Sequence, residues 1–289
     1  MNKITVIDGG LSTELERLGV RVTGNLWTGH TLLDDPAAIE QAHKNYAQSG
    51  AEVVITSSYQ LSRKGFEEIG LSSVEADLAL QKSVEVARAA VVGTGARVAA
   101  SVGPYGAVLH DGSEYRGIYE VGQSELEDFH FERLQTLVAA SPDLLAVETI
   151  PNIVEARAIA NVLREIDLPK WVSFTAGSAE KLWSGEWYAD AVATLAGLDN
   201  LIAIGVNCVS PELVTNLATI ANATTDVPFI AYPNRGGTWD STNGIWIGAE
   251  PAQLTTYLPE WIDAGVNFVG GCCGTDATDI AKLAATLSQ

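Results

Sequence analysis

Residues 143–176 read DLLAVETIPNIVEARAIANVLREIDLPKWVSFTA, and this stretch decides the fold. Two short apolar runs, Asp143–Thr149 and Lys170–Ala176, flank a segment, Ile153–Ile166, in which Ala, Ile, Leu and Val recur at helical spacing. Apolar runs of this length suit strands buried on both faces, and the segment between them is the crossover that two parallel strands need. The unit repeats outward along the chain. Further expected strands are Ile4–Asp8, Glu52–Tyr59, Arg97–Gly103, Leu201–Cys208, Pro228–Pro233 and Val266–Gly271. Further expected helices are Pro36–Ser49, Val74–Val92, Ser124–Ala140, Tyr188–Leu198, Pro211–Ala223, Pro251–Ala264 and Asp276–Leu287. Eight units of about 36 residues each predict a (β/α)8 TIM barrel of the α/β class, a single domain over residues 1–289. The rival, an open doubly wound sheet, normally begins with a glycine-rich phosphate turn, and Asp8-Gly9-Gly10-Leu11-Ser12-Thr13 lacks that spacing.

Local signals agree with the alternation. Asp35-Pro36, Ser210-Pro211 and Glu250-Pro251 put proline at the start of a helix, where its missing N–H is not needed. Ser124 stands three residues before Glu127 as in a capping box, and Gly50 and Gly265 follow helices as left-handed caps. The long connections Leu11–Asp35 and Pro104–Gln123 both follow a strand, which in a barrel places them on the catalytic face.

Composition narrows the function. The 289 residues are 47% hydrophobic and 18% charged, enough apolar matter for a large core. A net charge of −19 repels phosphate backbones and anionic lipid headgroups, so nucleic acid and membrane surfaces are poor partners. The start of the chain reaches Asp8-Gly9-Gly10 before any signal-peptide core forms, and a cytoplasmic location is expected. Three cysteines, Cys208, Cys272 and Cys273, are too few for a disulfide framework and suggest thiol chemistry.

Residues at strand C-termini converge on one mouth of a barrel. They are Asp8, Ser57 to Tyr59, Gly103 to Tyr105, Glu148, Thr149, Thr175, Asn207, Tyr232 to Asn234 and all three cysteines. Adjacent side chains on a regular strand point to opposite faces, so Cys272 and Cys273 need a break in β geometry to share one atom, and Gly270-Gly271 and Gly274 permit it. Three thiolates with an open fourth position suit a catalytic Zn2+. Other readings are buried cysteines as small hydrophobes, a vicinal disulfide acting as a redox switch, or a phosphate cradle built from Gly270-Gly271 and Gly274-Thr275. Asp8 and Glu148 are costly to bury without a partner, which a ligand ammonium, a glycine turn or an arginine would provide. His43 and His130 fall on helices and His30 and His110 in loops, with no metal-binding spacing. Trp27, Trp183, Trp187, Trp239 and Trp246 lie in or beside strand-following loops, where they suit either a cationic ligand or loop packing.

The segments DGGLSTEL (8–15), TSSYQ (56–60), SVGPYG (101–106), ETIPN (148–152), GVNC (205–208), YPN (232–234) and GGCCGT (270–275) together resemble the zinc-dependent homocysteine S-methyltransferases. The stretch DGSEYRG (111–117) is similar to the branch that uses S-methylmethionine; Arg235-Gly236-Gly237 departs from the usual small residue and acid after the YPN motif. The resemblance implies that Cys208, Cys272 and Cys273 bind Zn2+, that Asp8 and Glu148 hold the homocysteine head, and that Ser57, Ser58 and Asn207 lie close by. It implies methyl transfer from S-methylmethionine, or more slowly from S-adenosylmethionine, to homocysteine, forming methionine. A single barrel lacks room for the modules that folate or cobalamin donors require. The alternatives are a betaine-type donor on the same scaffold, a metal-free redox sensor using the Cys272-Cys273 pair, and a zinc protein without catalysis.

Overall fold

The computed structural model describes residues 3–22, 26–236 and 252–288, with the backbone alone of 238–240 and 245–247. Eight parallel strands form the sheet: β1 (Thr5–Val6), β2 (Val53–Ile55), β3 (Arg97–Val102), β4 (Leu144–Ile150), β5 (Lys170–Phe174), β6 (Leu201–Asn207), β7 (Phe229–Tyr232) and, after an antiparallel hairpin of β8 (Thr238–Asp240) and β9 (Ile245–Ile247), β10 (Val266–Val269). Their order is β1-β10-β7-β6-β5-β4-β3-β2. Closure comes from β1 meeting β2: Ile7 bridges Val53 in parallel, and Asp8 N–H donates to the Val53 carbonyl at 3.1 Å. The barrel predicted from the alternating pattern is the observed fold, with all eight expected strands present.

Two apolar layers hold it. Inside the barrel pack Ile7, Val53, Ala99, Ala146, Trp171, Ala203, Ile230 and Tyr232, where small residues on some strands make room for the indole and phenol of others. The larger layer lies between strands and helices. All seven residues of β4 are buried, the apolar run Leu144–Val147 and beyond it Glu148 and Thr149 at the strand's C-terminal end. Gly205 is dictated by strand spacing, since a Cβ there would lie 1.7 Å from the Ile230 carbonyl oxygen. No described helix is long and apolar enough to cross a membrane.

Punctuation follows the expected chemistry with informative exceptions. Asp35 caps the helix Pro36–Gln48 by accepting from the Ala38 N–H, and Gly50 and Gly265 hold φ of +98° and +88° as left-handed caps. Pro211 opens a 3-10 turn that runs into the helix Val214–Thr224. Ser124 does not cap: its helix begins earlier, at Gln123 with Gly122 as N-cap, and Glu127 accepts instead from Gln123 and Asn161. Among the described residues, the capping boxes formed are Ser72 with Glu75 and Asp276 with Asp279. Both long connections carry helix, Leu11–Arg17 and Thr28–Asp34 in the first, Tyr105–Val108 and a 3-10 turn Ser113–Tyr115 in the second. His30 is therefore helical rather than in a loop. Glu250-Pro251 and Gly237 lie outside the described residues, as do the side chains of Trp239 and Trp246.

Candidate metal and active site

The three cysteines meet at the C-terminal mouth. Their sulfurs all lie within 4.8 Å of one another, and Cys208 Sγ is 4.0 Å from Cys273 Sγ. Tetrahedral coordination at the usual Zn–S length of about 2.3 Å separates sulfurs by about 3.8 Å, so the cluster fits one such ion. Cys208 leaves β6 with φ +51°, a left-handed backbone that turns its sulfur off the strand line. After β10 the chain bends, and the pair is pinned through its backbone: Cys272 N–H donates to the Pro233 carbonyl at 2.8 Å and Cys273 N–H to Asn234 Oδ1 at 3.2 Å. Gly274, at φ +79°, completes the turn that lets both sulfurs face the mouth.

Electrostatics within the cluster favour a cation. Hydrogen bonds from Cys272 and Cys273 hold the Cys208 thiol well below its ordinary range, helped by Tyr115 and Thr149, while Cys272 and Cys273 are driven up by their interaction with Cys208. One sulfur is readily anionic and two are not, as expected for three thiols sharing charge without a counter-ion.

The acids line the same mouth. Asp8 is 2% exposed; Oδ2 accepts the Ile55 N–H at 2.7 Å and Oδ1 has no partner. Burial, and then the Glu148 charge, push its carboxyl up against the pull of the Ile55 bond. Glu148 accepts from Ser101 Oγ at 2.5 Å and not from an arginine. Burial raises its carboxyl to about 7, with the Cys208 charge adding and Ser101 and Tyr232 opposing. Such upward shifts suit carboxylates that bind a cation as they ionise.

The neighbouring polar residues divide into free and committed. Ser57 Oγ is buried without a partner. Ser58 Oγ donates to the Ser101 carbonyl and pairs with Thr56 Oγ1, and Asn207 binds Thr149 and Ser173. Both therefore brace the strand ends beside the site. Trp183 donates to Thr175 Oγ1 at 3.3 Å and Trp187 lies under the Lys181 ammonium at 4.3 Å; both indoles are about half exposed.

Two buried residues escaped sequence reasoning. Arg133, on the helix Gln123–Ala139, donates to the carbonyls of Gly103, Ser58 and Tyr59, tying together the segments after β2 and β3. Glu155 accepts from the Tyr105 N–H at 2.6 Å, from His130 Nε2 at 2.8 Å and from the Tyr119 hydroxyl, fastening both ends of the segment after β3. A charge inside an amphipathic helix reads as solvent-facing in sequence, and nothing local marks these as buried. Asn234, by contrast, is among the residues expected at the mouth, and it stands there after β7.

The phosphate-cradle reading fails on hydrogen bonds. Every N–H from Gly270 to Thr275 donates within the protein, and Glu14 and Asp276 occupy the N–H groups of Ala277, Thr278 and Asp279 at the following helix start. No backbone donor there is left to bind a phosphate.

Comparison with known proteins agrees with this geometry. The sequence model of the family described as homocysteine S-methyltransferase matches residues 5–287. Homocysteine S-methyltransferase 1 of Brassica oleracea var. italica is 40% identical, the match covering 98% of this chain and 93% of that one. Homocysteine S-methyltransferase of Escherichia coli K12 is also 40% identical, over 98% and 94%. The solved metallated form of the Escherichia coli homocysteine methyltransferase MmuM superimposes with a TM-score of 0.89 at 38% identity, over 99% of this chain and 96% of that one. With barrel, converging sulfurs and full-length similarity in agreement, the chain belongs to the homocysteine S-methyltransferase family.

Proposed function

We propose that this protein transfers a methyl group from a small sulfonium, S-methylmethionine, to the sulfur of homocysteine, forming methionine, with Zn2+ held by Cys208, Cys272 and Cys273. The reading takes residues 1–289 as one homocysteine-binding barrel. The observation that carries it is the group of three sulfurs within 4.8 Å at the barrel mouth of a member of this family. Zinc bound there supplies a Lewis acid that keeps the homocysteine thiol ionised at neutral pH. Asp8 and Glu148 take the homocysteine ammonium, and Ser57 offers a hydroxyl beside them. Ser58 and Asn207 keep these groups in place. A C–S bond forms to the incoming thiolate as the donor's C–S bond breaks, two neutral thioethers result, and no general base is needed at the methyl. The protein's task is alignment of the three reacting atoms within the mouth. Such a centre needs reduced thiols, which a cytoplasmic location provides.

A chain of charge −19 draws in cationic donors generally, so the donor is settled by assay. Rates with S-methylmethionine, S-adenosylmethionine and betaine at fixed homocysteine, with metal content measured on the same sample, are expected to rank S-methylmethionine first and to give one zinc per chain. Betaine turning over fastest overturns the donor, and full transfer by metal-free protein overturns the zinc.

A further inference from the structure

Among the described residues, two carboxylate oxygens are buried without a hydrogen-bond partner: Asp8 Oδ1 and Glu114 Oε2. Both belong to the mouth. Asp8 stands at the end of β1, and Glu114 on the 3-10 turn Ser113–Tyr115 of the segment after β3, within Coulombic reach of Cys208 and Tyr59. An unpaired buried carboxylate is costly unless a ligand cation meets it.

Among the described residues no cation forms a salt bridge or hydrogen bond with Glu114 Oε2, and Arg116 acts on the carboxyl only at a distance. The guanidinium of Arg116 makes its bonds elsewhere, with Nη2 on Asp111 Oδ2 at 2.9 Å, Nη1 on the Asp111 carbonyl at 2.6 Å and a further bond to Ser113 Oγ. The backbone beneath is fixed, because Gly106 packs so closely that a Cβ there would lie 2.6 Å from the Glu114 nitrogen. Glu155 holds the segment at Tyr105 and at Tyr119. Glu114 Oε2 is thus presented by a braced segment beside the Cys208 charge, without a hydrogen-bond partner.

We propose that Glu114 binds the α-ammonium of the methyl donor, so that the enzyme selects amino-acid sulfoniums over sulfoniums lacking that group. The assignment rests on the methyl-transfer reading above. Acceptor and donor are then both amino acids, each with one ammonium, and two orphaned carboxylate oxygens await them. The sulfonium is the wrong partner for Glu114. Its charge vanishes as the methyl moves to the thiolate, so a carboxylate against it stabilises the ground state more than the transition state. The ammonium keeps its charge throughout, and binding it costs nothing at the chemical step.

The test compares zinc-loaded wild type with Glu114→Gln, which keeps the shape, and Glu114→Asp, which keeps the charge. For S-methylmethionine, Glu114→Gln is expected to raise KM at least about tenfold with kcat within about threefold, and Glu114→Asp to recover part of the loss. KM for homocysteine and zinc content stay at wild-type values. The inhibition constant of 3-(dimethylsulfonio)propanoate, a sulfonium without an α-ammonium, also stays unchanged. An unchanged KM for S-methylmethionine, a rise in KM for homocysteine instead, or equal weakening of the propanoate overturns the assignment and leaves the transferase reading intact. Wild-type protein that takes betaine and not S-methylmethionine overturns the donor reading, and this assignment with it.

Discussion

Thr149 and Asn207 are tied by two hydrogen bonds: Asn207 Oδ1 accepts the Thr149 N–H at 2.7 Å, and Asn207 Nδ2 donates to the Thr149 hydroxyl at 2.7 Å. Each residue sits beside a residue of the candidate site, Thr149 after Glu148 and Asn207 before Cys208. Thr149 holds φ +63° and Cys208 φ +51°, left-handed backbone that costs a residue with a Cβ about 1–3 kcal/mol. The amide of Asn207 reaches across β5 to satisfy the Thr149 N–H where the β4–β5 register shifts between Val147 and Ile150. It thereby fixes the acid and the sulfur relative to each other.

Asn207→Ala leaves the Thr149 N–H buried without an acceptor, a loss of about 1–3 kcal/mol for that group alone. The melting temperature is expected to fall by several degrees and kcat/KM for homocysteine by about tenfold or more. Zinc content changes less than activity, since Cys272 and Cys273 are held from β7. Calorimetry, kinetics and metal analysis on one preparation check all three; wild-type kinetics in a destabilised variant would leave the pair a purely structural role.

The barrel was legible because its signals are local and repeated. Each strand is a short apolar run, each helix an amphipathic one, and the eightfold count follows. The cysteines were legible for a related reason, since strand ends converge by topology once the barrel is granted. What sequence concealed was the layer beneath. Arg133 and Glu155 sit on helices whose charged residues otherwise face water, and their targets are backbone groups that carry no sequence signature. Glu114 was quoted as part of a motif without a role, because its isolation depends on Arg116 turning toward Asp111. The shifted helix start near Ser124 shows the limit of cap signals, where Gly122 competes two residues upstream.

Cys208→Ser replaces the sulfur that stands 4.0 Å from Cys273 with a far weaker zinc ligand. Metal content is expected to drop severalfold and methyl transfer to be abolished. Metal analysis alongside the assay checks this, and full activity in the variant would remove Cys208 from the site.

His43 has neither ring nitrogen hydrogen-bonded, and burial lowers its pKa to about 4, below the ordinary 6.5. The unfolded chain therefore takes up a proton that the folded one refuses, and stability falls as pH drops from about 6.5 toward 4. The full effect is on the order of 3 kcal/mol. His43→Leu should lose less stability than wild type between pH 7 and pH 5 by chemical denaturation. Parallel pH profiles would refute this assignment.

Glu148 behaves oppositely in metal-free protein, its carboxyl raised to about 7 from an ordinary 4.5 by burial. The folded state holds the proton more tightly, so wild type loses stability as pH rises from about 4.5 through 7. Glu148→Gln removes the titration and should be more stable than wild type at pH 8 and nearly equal at pH 4.5, while raising KM for homocysteine. A variant less stable than wild type at pH 8 would mean that Ser101 and Tyr232 more than offset the cost of burial.

Arg133 is 2% exposed, and its guanidinium remains charged at neutral pH because burial lowers its pKa only to about 10. It donates to Gly103 O at 2.8 Å, Tyr59 O at 2.9 Å and Ser58 O at 3.3 Å, and stacks over Phe129 at 5.0 Å. A planar fork spans carbonyls on two separate segments, which the single ammonium of lysine does not. Arg133→Lys is therefore expected to lose several degrees of melting temperature and to loosen the segment carrying Ser57, Ser58 and Tyr59. Arg133 bonds none of the segments that carry the cysteines, which follow β6 and β10, so zinc content should stay near the wild-type level while kcat/KM falls about tenfold. If zinc is lost in proportion to activity, Arg133 supports the whole barrel mouth; if activity survives with the lowered melting temperature, its bonds serve stability alone.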